Sequence, residues 1–579
     1  MPLATQRLLR RLLPFLAWRR QLDAATLRTD LLAGVSVALV AIPQALAYAQ
    51  LAGLPAYVGL YASLLPSIVA ALFGSSPQLN TGPVALTSLL TAAALAPLAL
   101  PGSDTWLVLA VQLALLSGLL QLAFGVLRLA HFADLLSHPV LHGFINACSV
   151  LICLAQLPAL LGINGAGQLP FAEGLAHLAG SLPGTHLPSL ALGTAAIVLL
   201  TLLNRFAPRW PGMLLVIAGL GAAAWFGGFE ASGGKVVGAL PEQVIALALP
   251  ATDWRQITDL LPAAFVLALV SFLEAMSSCK IAAARTGKRW DGNQELIGQG
   301  LAKLTAAVCQ AYPVSGSFGR SAFLLQARAR TGLASVVGAL MVLAALLAIP
   351  GLIAHIPRPL LAAVILVTVA KLLSLAPLRE AWRSGRDDGL AGTVSFVATL
   401  AFAPHIEIGI LSGLLLSLAL LIYRSMRPRV AVLGRHPDGT WRDARRFGLP
   451  AAHPGLAILR FDGPLHFVNA ATFEDAVLAV ERDHPQLKVL LISSAGINDI
   501  DASGIDTLRR LRRQLAAGGR RLACCGLKKQ VIDVLERTGL WAELGPHAAY
   551  RHEDDALPHL LPLLGAAPPP PPVRRGLEW

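Results

Sequence analysis

Thr81-Gly82-Pro83-Val84-Ala85 and Ser315-Gly316-Ser317-Phe318-Gly319-Arg320 are built alike: a hydroxyl residue, a glycine, then a run able to begin a helix. The first turn of a helix leaves backbone N–H groups without acceptors, and the helix dipole adds partial positive charge, so each stretch can hold an anion. Arg320, one turn into the second stretch, adds a fixed cation suited to a divalent anion. Gln44 offers an amide donor and Tyr48, one helical turn later, a hydroxyl; each reads equally as a polar residue packed within a span. Glu274 lies inside an apolar run, where a carboxylate is costly and faces a cavity or a partner. Two readings of it stay open: a proton-coupling group whose state depends on an anion held near Arg320, or a structural ion pair with Arg320. Lys303 is a second charge in an apolar run, and the sequence assigns it no role. Asp291, Asn293 and Glu295, just before that run, read as helix caps.

The elements that carry these residues are membrane spans. The chain has 579 residues, 55% hydrophobic and 14% charged, with mean hydropathy +0.63, too apolar for a soluble protein of this size. Runs of about 17 to 25 apolar residues recur from Asp30 to Tyr423, each able to cross the hydrocarbon core; the reading is about fourteen spans, two of them half-length. A break in such a span is tolerated only where it lines a polar cavity. An internal duplication is visible. Asp30-Leu31-Leu32 precedes the first span and Asp259-Leu260-Leu261 the eighth; Gln44 and Glu274 are 230 residues apart (274 − 44), and Gly82 and Gly316 are 234 apart (316 − 82). A repeat of about seven spans, being odd, sets the second copy upside down. The second span then ends near Phe73, and Gly74-Ser75-Ser76-Pro77 re-enters before a short helix starting at about Gly82. The ninth ends near Cys309, and Ala311-Tyr312-Pro313 re-enters before a helix starting at about Gly316. The two positive helix ends meet near mid-membrane.

The net charge of +13 follows the membrane and not a nucleic acid. With a cytoplasmic amino terminus, the inner segments hold Arg7, Arg10, Arg11, Arg19, Arg20 and Arg28, and later Lys280, Arg285, Lys288, Arg289, Arg424, Arg427 and Arg429. The outer loops hold little beyond Lys235, Arg255 and Arg358. This bias predicts a multi-pass protein of the cytoplasmic membrane with both termini inside. The Arg-rich start lacks the pattern of a cleavable signal. The six cysteines show no metal or disulfide spacing and read as packing residues; no cofactor, metal or catalytic group is expected, and no enzyme motif is visible.

After Tyr423 the pattern changes to strands at Leu456–Phe461, Lys488–Ser493 and Arg521–Cys525, alternating with helices at Ala470–Glu481, Ser503–Ala516 and Lys528–Thr538, an α/β domain. Between strand and helix lies Asn498-Asp499-Ile500-Asp501-Ala502-Ser503-Gly504. Asp501 or Ser503 can cap the helix there; the other reading is a phosphorylatable or partner-binding loop. The domains are therefore 1–29, a basic segment; 30–425, membrane; 430–563, α/β; and 564–579, a Pro-rich tail around Pro568 to Pro572.

These residues together resemble the sulfate permease (SulP) family of anion transporters. The resemblance rests on Asp30-Leu31-Leu32-Ala33-Gly34, Ile42-Pro43-Gln44-Ala45-Leu46-Ala47-Tyr48-Ala49, Gly59-Leu60-Tyr61-Ala62, Asn293-Gln294-Glu295-Leu296-Ile297-Gly298 and Tyr312-Pro313-Val314-Ser315-Gly316-Ser317-Phe318. The end of the chain resembles a STAS domain through Asp499 to Ile505. The resemblance implies an all-α membrane part of seven plus seven inverted spans, divided into core and gate, usually dimeric and moving as an elevator. It implies an anion, sulfate foremost, bound by Gln44, Tyr48, Gly82, Pro83, Val84, Ala85, Ser317, Phe318, Gly319 and Arg320, with Glu274 coupling transport to protons. Sodium-coupled bicarbonate members carry Asp and, one turn later, Thr where this chain has Glu274 and Ser278. Family members often have Ser where Gly319 stands and Asn where Lys303 stands. The alternatives are sodium-coupled bicarbonate or other anion transport, and a membrane-tethered regulator working through a protein partner at the STAS domain.

Overall fold

A computed structural model describes residues 13–19, 21–163, 170–207, 210–241, 247–250, 254–545 and 550–565. Arg7, Arg10, Arg11, Arg20 and the Pro568 to Pro572 run lie outside the described residues. The chain divides into two compact units, Met1–Ser417 and Leu418–Trp579.

The first unit is helical. Among the described residues, seven helical segments are long and apolar enough to cross a membrane: Ala24–Leu51 (α1), Ala56–Phe73, Asp104–Val126 (α5), His138–Leu161 (α6), Leu187–Phe206 (α7), Arg255–Thr286 and Ile406–Met426, the last running on past the boundary between the units. The second of these is two helices, Ala56–Ala62 (α2) and Leu65–Phe73 (α3). Shorter apolar helices are Ala85–Leu95 (α4), Gly212–Phe226 (α8), Leu333–Ala348 and Arg358–Ala370. Trp254–Thr286 (α9), Gly292–Val308 (α10) and Phe318–Gln326 (α11) complete the set around the site. α1 starts at an Asp23 cap that accepts from the Thr26 amide at 2.6 Å. Asp30 and Asp259 thus lie inside their helices, not ahead of them as the sequence suggested. Asp30 is fully buried because it holds a distant loop: its carboxylate accepts from the Arg330 amide at 2.7 Å, the Thr331 amide at 3.1 Å and the Thr331 hydroxyl at 2.5 Å.

Small residues set the helix spacing. A Cβ on Gly300 of α10 would stand 2.6 Å from the Leu122 amide of α5, and one on Gly118 would stand 3.0 Å from the Gly300 carbonyl, so α5 and α10 meet backbone to backbone as small-residue helix pairs do in membranes. Outward faces are apolar and open, as at Leu187, Leu202 and Phe206 of α7; an apolar surface of that kind suits lipid.

Two short strands interrupt this bundle. Thr81–Gly82 (β1) pairs antiparallel with Ser315–Gly316 (β2), Thr81 opposite Gly316 and Gly82 opposite Ser315. The helices begin a little later than the sequence suggested, α4 at Ala85 and α11 at Phe318, because the glycines are used in the strand pair.

The second unit has a five-stranded sheet of order β4-β3-β5-β6-β7: Arg429–Arg435 (β3), Trp441–Asp443 (β4), Leu456–Asp462 (β5), Val489–Ser493 (β6) and Arg521–Cys525 (β7). β5, β6 and β7 run parallel, and the hairpin β3–β4 joins antiparallel. Helices Ala470–Asp483, Ala502–Ala517 and Lys529–Arg537 pack one apolar layer, and Glu553–Leu560 closes the other. The Cys524 and Cys525 side chains are buried, and burial pushes the Cys524 thiol up to about 12, which keeps it an uncharged packing group.

Candidate anion site and its neighbours

The strand pair is what draws the two predicted stretches together. Extended backbone inside an apolar bundle must find its own hydrogen-bond partners, and here it does. The Ser317 amide donates to the Asn80 carbonyl at 2.8 Å, the Asn80 amide to Ser321 Oγ at 2.9 Å, and Ser67 Oγ to the Thr81 carbonyl at 2.6 Å. Gly316 has room for no side chain, since a Cβ would stand 3.0 Å from the Ala275 backbone of α9, and a Cβ at Gly82 would stand 3.0 Å from Arg320 Nη2, which would have to shift. α9 packs on β2, α4 and α11, and α1 packs on α4 and α11.

At the start of α4, Val84 occupies the cap position with no side-chain cap, so the first amides after it have no acceptor from that residue. At the start of α11, Ser317 Oγ accepts from the Arg320 amide at 3.3 Å. Phe318 and Gly319 are exposed, and a Cβ on Gly319 would meet nothing within 4 Å. The pair thus presents two helix amino-terminal ends, joined by their preceding strands, with open space beside one of them. That arrangement can hold an anion.

Arg320 is buried and runs beneath the strands: Nε donates to Asn80 Oδ1 at 2.7 Å, Nη1 to the Pro83 carbonyl at 2.9 Å, and Nη2 has no acceptor among the described residues. Nη2 lies against Gly82 and near Ser67, in a small cavity that also touches Ser63, Asn80 and Ser335. Asn80 was missed in the sequence. Its signal was an amide side chain just ahead of the break, and only the fold shows that it receives the guanidinium.

Glu274 Oε2 accepts from Ser315 Oγ at 3.0 Å, and Ser315 Oγ also reaches the Ser271 carbonyl at 3.1 Å. No ion pair joins Glu274 to Arg320 among the described residues, so the structural-pair reading does not hold in this conformation. Gln44 is buried, its Nε2 turned to Met213 Sδ at 3.8 Å and its Oε1 without a partner. Tyr48 is buried one turn further along α1. Ser278 Oγ donates back to the Glu274 carbonyl at 3.1 Å within α9.

The three residues read as caps separate. Asp291 is the cap of α10, accepting from the Asn293 and Gln294 amides. Asn293 Oδ1 instead accepts from the Ala130 amide, and buried Glu295 accepts from the Ser75 and Ser76 amides at 2.9 and 3.1 Å, fixing the turn that leads into β1. In the second unit Asp501 is the helix cap: Oδ1 accepts from the Gly504 amide at 2.9 Å and Oδ2 from the Phe467 amide at 2.8 Å. Ser503 stands exposed in the first turn and is not the cap. Among the described residues no group of three or more His, Cys, Asp or Glu could hold a metal ion.

Helices broken by paired extended stretches inside an apolar bundle, followed by a small α/β unit, define a polytopic membrane transporter fold with a carboxy-terminal STAS domain. The sulfate permease family model matches residues 27–394 and the STAS domain model residues 450–556. A probable sulfate transporter of Mycobacterium tuberculosis is 32% identical over 528 residues, covering 91% of this chain and 94% of that protein. The chain belongs to the sulfate permease family. The fold is that of the murine solute carrier 26 family member A9 anion transporter in the inward-facing state, with TM-score 0.86 at 22% identity over 94% of this chain and 93% of that one. The transmembrane domain of the cyanobacterial bicarbonate transporter BicA matches with TM-score 0.59 at 22% identity, over 69% of this chain and 98% of that one.

Proposed function

We propose that this protein is a secondary carrier of an inorganic oxyanion, sulfate, taken up with protons across the cytoplasmic membrane. The carrying observation is the antiparallel pairing of Thr81–Gly82 with Ser315–Gly316, which unites two helix amino-terminal ends beside a buried arginine that has no acidic partner among the described residues. Val84, Ala85, Ser317, Phe318 and Gly319 supply the backbone cradle and Arg320 the fixed positive charge that a divalent anion needs. Gln44 and Tyr48, on the α1 helix that packs on α4 and α11, are the further polar contacts for the anion in this reading. The relative of 94% coverage described as a probable sulfate transporter supports this choice of anion.

Glu274 carries the coupling proton in this reading. It is held by Ser315, the residue that pairs with Gly82 across the strands, so a change in the cradle is felt at the carboxyl. In this reading the spans are fourteen, in two inverted sets of seven; both sets contribute to the cradle, and the core that bears it moves past the gate as an elevator in a homodimer, with both termini cytoplasmic.

Radiolabelled sulfate uptake into proteoliposomes tests the proposal. Uptake by the full chain should rise with an inward proton gradient, and Glu274→Gln should carry sulfate with that dependence removed; a mutant as proton-dependent as the parent would sink the coupling role. Replacing sodium by choline and adding competing bicarbonate separates the second reading, sodium-coupled bicarbonate transport, which the BicA likeness in fold keeps worth testing.

A further inference from the structure

Lys303 is the charged group that the proposed carrier does not use. It is fully buried at the middle of α10, and its ammonium donates to Gln121 Oε1 at 2.6 Å and Ser271 Oγ at 2.7 Å. Among the described residues no carboxylate lies within ion-pair distance of it. Buried ammonium groups normally sit against an acid, because neutral oxygens compensate the lost hydration only in part.

The oxygens around Lys303 form one connected cluster. Gln121 Nε2 donates to the Ala268 carbonyl at 2.7 Å and to Ser271 Oγ at 3.0 Å, which turns Gln121 Oε1 toward the ammonium. The Ser271 carbonyl receives Ser315 Oγ at 3.1 Å, and the same hydroxyl reaches Glu274 Oε2 at 3.0 Å. An amide oxygen, two hydroxyls, a carbonyl and a carboxylate drawn from α5, α9 and β2 make a hard-oxygen set of the kind that binds small metal cations. One cation, covalently attached, already holds two of these oxygens, Gln121 Oε1 and Ser271 Oγ, and the other three are joined to them through Ser271 and Ser315. Glu274 of α9 is the acid that faces this cluster; Glu295, two turns back on α10, is engaged by Ser75, Ser76 and Gln299.

We propose that Lys303 is a tethered cation filling, beside Glu274, the oxygen cluster that would otherwise admit a free sodium ion, and that it thereby makes transport by this chain sodium-independent. A second monovalent cation about 4 Å from the ammonium would be bound on the order of a thousandfold more weakly. A lysine is suited to the role because its ammonium is a compact point charge with three donors on a flexible stem. The inference rests on the reading of Glu274 as the coupling carboxylate, and makes Lys303 a specificity-determining residue.

The test measures thermal unfolding of the purified full chain in sodium chloride and in choline chloride at equal ionic strength, for the parent, Lys303→Asn and Lys303→Arg. The parent and Lys303→Arg should unfold at the same temperature in both salts. Lys303→Asn should be destabilised in choline and raised by several degrees in sodium, and its uptake should gain at least fivefold from sodium. A sodium-dependent shift in the parent overturns the inference. So does a Lys303→Asn protein that behaves identically in the two salts, whether folded or not, because a merely structural lysine would lose stability equally in both. The unfolding readout needs no substrate, so a wrong anion, or unchanged proton dependence in Glu274→Gln, would show separately as failure of the proposed function.

Discussion

Arg320 uses Nε on Asn80 and Nη1 on the Pro83 carbonyl and keeps Nη2 without an acceptor among the described residues. The two made bonds tie the strand before α4 to the first turn of α11, so the residue both braces the cradle and charges it. Arg320→Ala removes both effects. A hydrogen bond to a charged group contributes about 1.5–3 kcal/mol, so sulfate affinity should fall by at least about tenfold; a binding titration giving parental affinity would remove the arginine from the site. Arg320→Lys keeps the charge but cannot reproduce the fork to Asn80 and Pro83, and should fall between parent and alanine variant. Gly319 lends itself to the opposite experiment. A Cβ there meets nothing within 4 Å, so Gly319→Ser should fold like the parent and tighten sulfate binding a few-fold by adding a hydroxyl to the exposed first turn, as competition titration would reveal. The residue types at the candidate site were legible because hydroxyl, glycine and arginine stand in short local order. Asn80, and the partners of Lys303, were not: Gln121 is 182 residues from Lys303 in the chain, and no local pattern marks such a contact.

Between elements, the contact of α5 with α10 decides where Lys303 sits. Gly118 and Gly300 let the two backbones approach, and Gln121 and Lys303, each almost one turn further along its helix, meet as a consequence. Gly300→Val would press its side chain on the Leu122 amide and the Gly118 carbonyl, backbone atoms that cannot rotate away. Overpacking of this kind costs about 1–3 kcal/mol, so the variant should unfold several degrees earlier and lose uptake as Lys303 is drawn off Gln121. In the second unit Asp501 caps its helix with both carboxylate oxygens engaged, so Asp501→Ala should cost about 1 kcal/mol. Elements with regular patterns were read from sequence to within a residue or two: Leu456–Asp462, Val489–Ser493 and Arg521–Cys525 are the three parallel strands of the sheet. The β3–β4 hairpin and the closing helix Glu553–Leu560 were missed, since a three-residue strand and a helix containing Pro558 leave little periodicity to detect. The half-helices were placed two or three residues early because nothing local says that a Thr-Gly and a Ser-Gly, 234 residues apart, will pair as strands.

Across the whole chain, the buried clusters of the membrane unit and those flanking the second unit's sheet share no residue. The division was legible as a fall in hydropathy after Tyr423, because membrane spans are apolar all round whereas the later strands and helices alternate apolar with charged positions. Separate cores make separate stabilities, and substitutions far apart without shared partners add. Gly300→Val and Asp501→Ala should therefore act independently. Hydrogen exchange on the full chain should show faster exchange in α5 and α10 for the first variant, and in the helix Ala502–Ala517 for the second. The double variant should be the sum of the two, within about 0.5 kcal/mol in the free energies of opening. Faster exchange in α5 caused by Asp501→Ala alone would mean that the two units open together, and the membrane unit's stability would then have to be treated as a property of the whole chain.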